Sequence, residues 1–127
     1  MKKLTDIVWP FIRNAATSEI ERIRALEVSC RPTVVVLEAA VLLEAKWQDL
    51  VDEVWVLGVA KSKSIRRLMS RNHITESDAL KRIESQMSLQ ERQKFADVLL
   101  DNNGSLDETK QQVDTVKAVH SLYLYRE

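Results

Sequence analysis

The sequence predicts an α/β fold in one domain over residues 1–127: a three-stranded parallel sheet with flanking helices. Three observations carry that prediction. The short runs PTVVVL (32–37) and DEVWVLGV (52–59) are rich in valine and bounded by polar residues, as strands buried on both faces are. ADVLLD (96–101) is a weaker third run. Between the first two lies AAVLLEAKWQDLV (39–51), long enough for the helical crossover that parallel neighbours require.

The elements follow in order. An opening helix is expected from about Trp9 to Leu26, because Phe11, Ile12, Ala15, Ala16, Ile20, Ile23 and Leu26 recur at helical spacing. Pro10 suits only its first turn, since proline donates no main-chain hydrogen bond. Further along, Thr75-x-x-Asp78, Ser88-x-x-Glu91 and Ser105-x-x-Glu108 each place a hydroxyl three residues before a carboxylate, the pattern of a helix N-terminus. The last of these helices follows the turn DNNG and carries Val113, Val116, Val119, Leu122 and Tyr123 on its apolar face.

Composition narrows the class. At 45% apolar and 30% charged residues, a chain of 127 is a small globular domain and neither a disordered tail nor a membrane span. Cys30 is the one cysteine, so no internal disulfide forms and no cysteine pair holds a metal. His73 and His120 stand alone and read as surface or helix-end residues. MKKLTDIVWPF has a basic pair without an apolar run long enough for a signal or anchor, which leads to a cytoplasmic expectation with no membrane partner. KSKS at 61–64 is too short to argue nucleic-acid binding. Glu44, Asp49, Asp52 and Glu53 read as solvated carboxylates, and Trp47 and Trp55 as packing residues.

Net charge is zero, yet the charges are unevenly spread. Residues 61–94 hold nine basic and four acidic side chains, whereas 1–60 hold seven and nine. A local excess on a neutral chain points to an anionic ligand held in one place. On a helix from about Ser62 to Ser70, Ile65, Leu68 and Met69 share one side, so Lys63, Arg67 and Arg71 line the other. Arg82 and Gln86, four apart, form a second row across the elbow NHIT. Guanidinium forks suit phosphate oxygens because they donate two parallel hydrogen bonds and stay charged. No phosphate cradle accompanies them: the two glycines, Gly58 and Gly104, form neither GxxxxGK[ST] nor GxGxxG.

The order LTDIVWP, VVVLEAAVLLEAKW, VDEVWVL, RRLMSRNHITESDALKRIESQMS and ADVLLDNNGSLDETKQQV resembles the C-terminal half of dephospho-coenzyme A kinase, from about Leu4 to Val119. LTDIVWP and AAVLLEAKW look most like the kinase part of the animal-type bifunctional coenzyme A synthase, since bacterial relatives usually have His-Pro in place of Trp9-Pro10. The resemblance implies a partial P-loop kinase fold whose central P-loop strand precedes Met1, with a helical lid over about 62–95. It implies ATP-dependent phosphorylation of the ribose 3′-hydroxyl of dephospho-coenzyme A, the last step of coenzyme A biosynthesis. Under it, Arg67 and Arg71 are catalytic lid contacts to phosphate, while Arg82, Gln86, Asn102, Asn103 and Gly104 bind ATP. Leu42, Leu43 and Glu44 line the acceptor side. Mg²⁺ is implied as cofactor but not held by these residues alone, and no metal ligand is assigned. Two positions depart from the family pattern: Asn72, where Arg-Asp is common, and Glu38, where an aspartate is common.

Without a cradle the chain is expected to be inactive alone. Open strand edges are expected to take an N-terminal half or a second copy. The alternative is a non-catalytic nucleotide- or coenzyme A-binding regulator, or an interaction partner of a full-length kinase.

Overall fold

The structure is a computed structural model that describes residues 4–32 and 34–124, the side chains of 119–124 excepted. Two compact units divide it, Met1–Asp52 and Glu53–Glu127, and each is described by itself.

The first unit opens with α1, Leu4–Arg24. It starts five residues before the expected Trp9, so Pro10 lies inside the helix rather than at its beginning. The buried side also differs from the expected one. Phe11 and Ile12 are 72% and 47% exposed, and the half-buried residues Trp9, Arg13, Ala16, Ile20 and Ile23 form the inner stripe. Two contacts select that stripe. The Trp9 and Trp47 rings meet edge to face, with centroids 6.2 Å apart, and Arg13 grips both oxygens of Asp49 at 3.0 and 2.6 Å. Periodicity located the helix, but an aromatic pair and a bidentate ion pair decided its rotation.

Two expectations in this unit are corrected. PTVVVL is not a strand: 34–39 are irregular chain, and Val34 and Val36 stay 67% and 83% exposed. Apolar, β-branched residues make a strand only against a partner edge, and the described residues of this unit hold none. The crossover helix at 39–51 is a run of turns ending in a short 3-10 turn, Gln48–Leu50. Lys46 adopts φ 56. There the Lys46 N–H donates to Leu43 O at 3.1 Å and the Trp47 N–H to Leu42 O at 2.9 Å, the two bonds of a Schellman ending. It places Leu43 and Trp47, 6% and 5% exposed, in the small core.

The second unit holds the sheet. β1, Trp55–Gly58, and β2, Val98–Asp101, pair in parallel, with Val56 beside Leu99 and Leu57 beside Leu100. The sheet has two strands among the described residues, against the three expected. Its long crossover is α2 (Lys61–Asn72), α3 (Glu76–Glu84) and α4 (Leu89–Gln93), and α5 (Leu106–Leu124) follows β2. Val54, Val56 and Leu100 form its core, and Ala79 is fully buried on α3. Trp55, expected to pack inside, is 37% exposed and donates its indole N–H to Glu53 at 2.9 Å.

The punctuation read from the hydroxyl–carboxylate pairs holds. Ser88 and Glu91 form a complete capping box at α4, and Ser105 and Glu108 exchange the same pair of bonds at α5. Thr75 accepts from the Asp78 N–H, and its hydroxyl donates to the Asp78 carboxylate. His73 ends α2 in the left-handed region at φ 52, a helix-end role. On α5, Val113 and Val116 are half-buried. The side chains of Val119, His120, Leu122 and Tyr123 lie outside the described residues.

Candidate functional site

Ligands of open parallel sheets gather beyond the carboxyl ends of the strands, where loops and helix starts converge. At that end of β1 and β2 lies a shallow groove of ≈ 350 Å³, lined among others by Gly58, Ala60, Leu89, Asp101 and Asn103.

The DNNG turn forms one wall and is tied on three sides. Asp101 accepts from the Asn103 main-chain N–H and side-chain amide at 2.8 and 2.7 Å. Asn103 Oδ1 accepts from the Ala60 N–H at 2.8 Å, and the Lys63 ammonium donates to the Asn103 carbonyl. Gln112 on α5 pairs with both main-chain groups of Asp101, accepting at 2.7 Å and donating at 2.8 Å. Gln112 thereby finishes the outer edge of β2 as a further strand residue would.

Gly104 is needed for space, not for a positive φ. A Cβ there would stand 2.2 Å from a Glu108 oxygen, and no glycine adopts positive φ. That same oxygen accepts from the Ser105 N–H at 2.6 Å. The two Ser105 bonds hold the Glu108 carboxyl below its ordinary range, and the Asn103 donors do the same for Asp101.

The basic residues occupy the neighbouring helices. Arg67 and Arg71 are exposed on α2, and Arg82 is exposed in the last turn of α3. Gln86 lies beyond the Ser85 C-cap, so the expected helical pairing of Arg82 with Gln86 ends one residue short. α2 packs on α3 across the His73 elbow, and Lys61 clasps Glu84 at 2.9 Å. Among the described residues, Arg67, Arg71 and Arg82 form no ion pair; Arg71 donates to the neutral Asn72 side chain at 2.9 Å. Lys63 differs from the expected outward row, being half-buried and committed to Asn103.

Arg92 on α4 carries a buried Nε without a hydrogen-bond partner among the described residues. Nothing in the sequence singles it out, because QERQ looks like any solvated helical stretch. Leu42, Leu43 and Glu44 belong to the first unit; Leu43 is a core residue, while Leu42 and Glu44 are half-buried. A resident Mg²⁺ finds no fit: the described residues hold no group of three metal-binding side chains. Asp101 and Glu108, the carboxylates beside the turn, are spent on main-chain N–H groups.

Chemically, the second unit presents fixed main-chain and amide groups at the carboxyl end of its sheet, and exposed guanidinium groups without an ion pair among the described residues on α2 and α3. Such an arrangement suits a ligand with a hydrogen-bonding ring and several negative charges. A family profile described as dephospho-CoA kinase matches residues 1–108. The dephospho-CoA kinase of Oceanobacillus iheyensis is 39% identical over 115 residues, which are 91% of this chain and 56% of that protein. That of Carboxydothermus hydrogenoformans is 45% identical over 82 residues, 65% of this chain and 40% of that protein. For Geobacter sulfurreducens the figures are 35% over 117 residues, 92% and 57%. The chain spans about half the length of the curated relatives it matches.

Proposed function

The chain belongs to the dephospho-CoA kinase family, and from that premise we propose that it is the C-terminal portion of such a kinase, carrying the lid over about residues 62–95 and the turn that meets the adenine. The reaction is transfer of the γ-phosphoryl group of ATP to the ribose 3′-hydroxyl of dephospho-coenzyme A, in the cytoplasm. One observation supports the reading: Arg67, Arg71 and Arg82 are exposed on two helices, α2 and α3, that pack together, with no ion pair among the described residues.

In this mechanism Arg67 and Arg71 meet the charge that develops on the transferring phosphoryl oxygens, and Arg82 and Gln86 hold the remaining phosphates. Phosphoryl transfer needs little covalent chemistry from a protein, so positioning and charge neutralisation supply most of the rate. Asn102, Asn103 and Gly104 form the wall for the base; of the acceptor-side segment in the first unit, Leu42 and Glu44 are half-buried and Leu43 is in the core. Mg²⁺ would supply neutralisation of phosphate charge, but no group of three metal-binding side chains among the described residues fits it. No phosphate cradle of the GxxxxGK[ST] kind occurs within these 127 residues, so they attract ATP without orienting it and turn over negligibly by themselves.

The partner in this reading is an N-terminal kinase portion. Support comes from β1, which pairs with β2 alone among the described residues and so leaves its other edge without a partner strand there. The Val54 and Gly58 carbonyls accept from the β2 side. In a parallel pair alternate residues serve one neighbour, so the main-chain groups of Leu57 point to the other edge, which a P-loop strand would take in this reading. The likeness of Trp9-Pro10 to the animal-type synthase bears on descent and adds no second activity. Mixing the chain with the N-terminal half of a relative's kinase, then adding ATP and dephospho-coenzyme A, tests the reading. Coenzyme A forms only in the mixture if it is right. Turnover by the chain alone sinks it, and no turnover in a mixture whose halves associate sinks it in favour of a binding-only regulator.

A further inference from the structure

We propose that Lys63 and Asn103 are a positioning joint that transmits the state of the 101–105 turn to the arginines of α2. It rests on the proposed function only in taking that turn as the base wall and α2 as the lid. The joint itself is geometry. Asn103 engages α2 twice, through Oδ1 to the Ala60 N–H at the N-cap and through its carbonyl to the Lys63 ammonium in the first turn. A single hydrogen bond would be a pivot, but two bonds from one residue to successive points of a helix start fix its rotation as well. Asn103 is itself held by Asp101 through two donors, which sets the direction of its amide.

The consequence follows along the helix. Arg67 and Arg71 lie four and eight residues beyond Lys63 on the same helix. Arg71 therefore sits about 12 Å along the axis from the joint, so a tilt of about 10° there displaces it by roughly 2 Å. Misplacement of about 1 Å already costs on the order of a hundredfold in rate when a group must meet a reacting centre. Lys61 acts elsewhere, binding Glu84 and tying α2 to α3 without touching the turn.

The test is hydrogen exchange on the full 127-residue chain, without ligand and with ATP. Lys63→Met keeps the aliphatic stem and removes the donor. It speeds exchange about three- to tenfold both at residues 61–64 and at the turn, and Lys63→Arg restores both. Lys61→Met speeds exchange in α2 and α3 alone. Wild-type exchange at the turn in Lys63→Met, or the same response from Lys61→Met, overturns the joint. With ATP, the wild-type protein is protected at the turn and α2 together, and Lys63→Met at the turn alone. Protection of α2 persisting in Lys63→Met overturns the transmission. ATP leaving the wild-type turn unprotected overturns the nucleotide reading instead, while the ligand-free arm still decides the joint.

Discussion

The Glu108 carboxylate occupies the space that a side chain at Gly104 would need, with an ideal Cβ 2.2 Å from its Oε2. One glycine without a special backbone angle is thereby coupled to the start of α5, since the displaced oxygen is the one that caps Ser105.

Gly104→Ala is expected to push Glu108 off Ser105 and fray the start of α5. The unfolding midpoint falls by a few degrees, the scale of a lost cap in a domain of this size. In a Glu108→Ala background the same change costs much less. Thermal unfolding of the four proteins of that cycle checks it; full additivity contradicts the coupling.

Arg71→Ala, in the chain complemented by an N-terminal kinase half, is expected to lower kcat by one to several orders of magnitude, by analogy with phosphate-binding arginines elsewhere. The unfolding midpoint stays unchanged, because Arg71 is exposed and its guanidinium hydrogen-bonds to the neighbouring Asn72 side chain. Steady-state kinetics beside a thermal melt separates the two effects. An unaltered rate returns Arg71 to a solvated helix face.

Acid is expected to loosen the helix starts before the sheet. Hydrogen bonds from Ser88 and Ser105 lower the Glu91 and Glu108 carboxyls from 4.5, and Asn103 lowers Asp101 from 3.8. A group depressed in the folded state contributes stability that is complete above its unfolded pKa and is lost as pH falls through the folded one. Protection factors, which correct for the intrinsic pH dependence of exchange, therefore fall at the starts of α4 and α5 and at the DNNG turn as pH drops below about 4.5, ahead of β1 and β2. Simultaneous loss everywhere counts against local capping.

Lys46→Gly is expected to stabilise the first unit by up to about 1 kcal/mol, since a left-handed L-residue costs roughly 1–2 kcal/mol and glycine returns part of that as entropy. Lys46 has φ 56, and its side chain is exposed. Urea unfolding followed by Trp47 fluorescence measures it. Destabilisation shows that the side chain does more than tolerate the angle.

Read by itself, the sequence specified what is local. Ser88 and Ser105 announce their helices because a cap needs only residues three apart, and DEVWVLGV and ADVLLD are strands because both are apolar runs with a partner edge. The basic character of α2 was equally plain, as charge is additive along a chain. Tertiary contacts decided the rest. PTVVVL has the composition of a strand, but pairing is a property of two segments and no edge reaches it among the described residues of its unit. Whether Lys63 joins the arginines or leaves them depended on Asn103, forty residues away. Arg92 looked solvated until folding closed over its Nε. Periodicity reports which residues share a side of a helix, whereas the commitment of each polar group depends on what distant chain it meets.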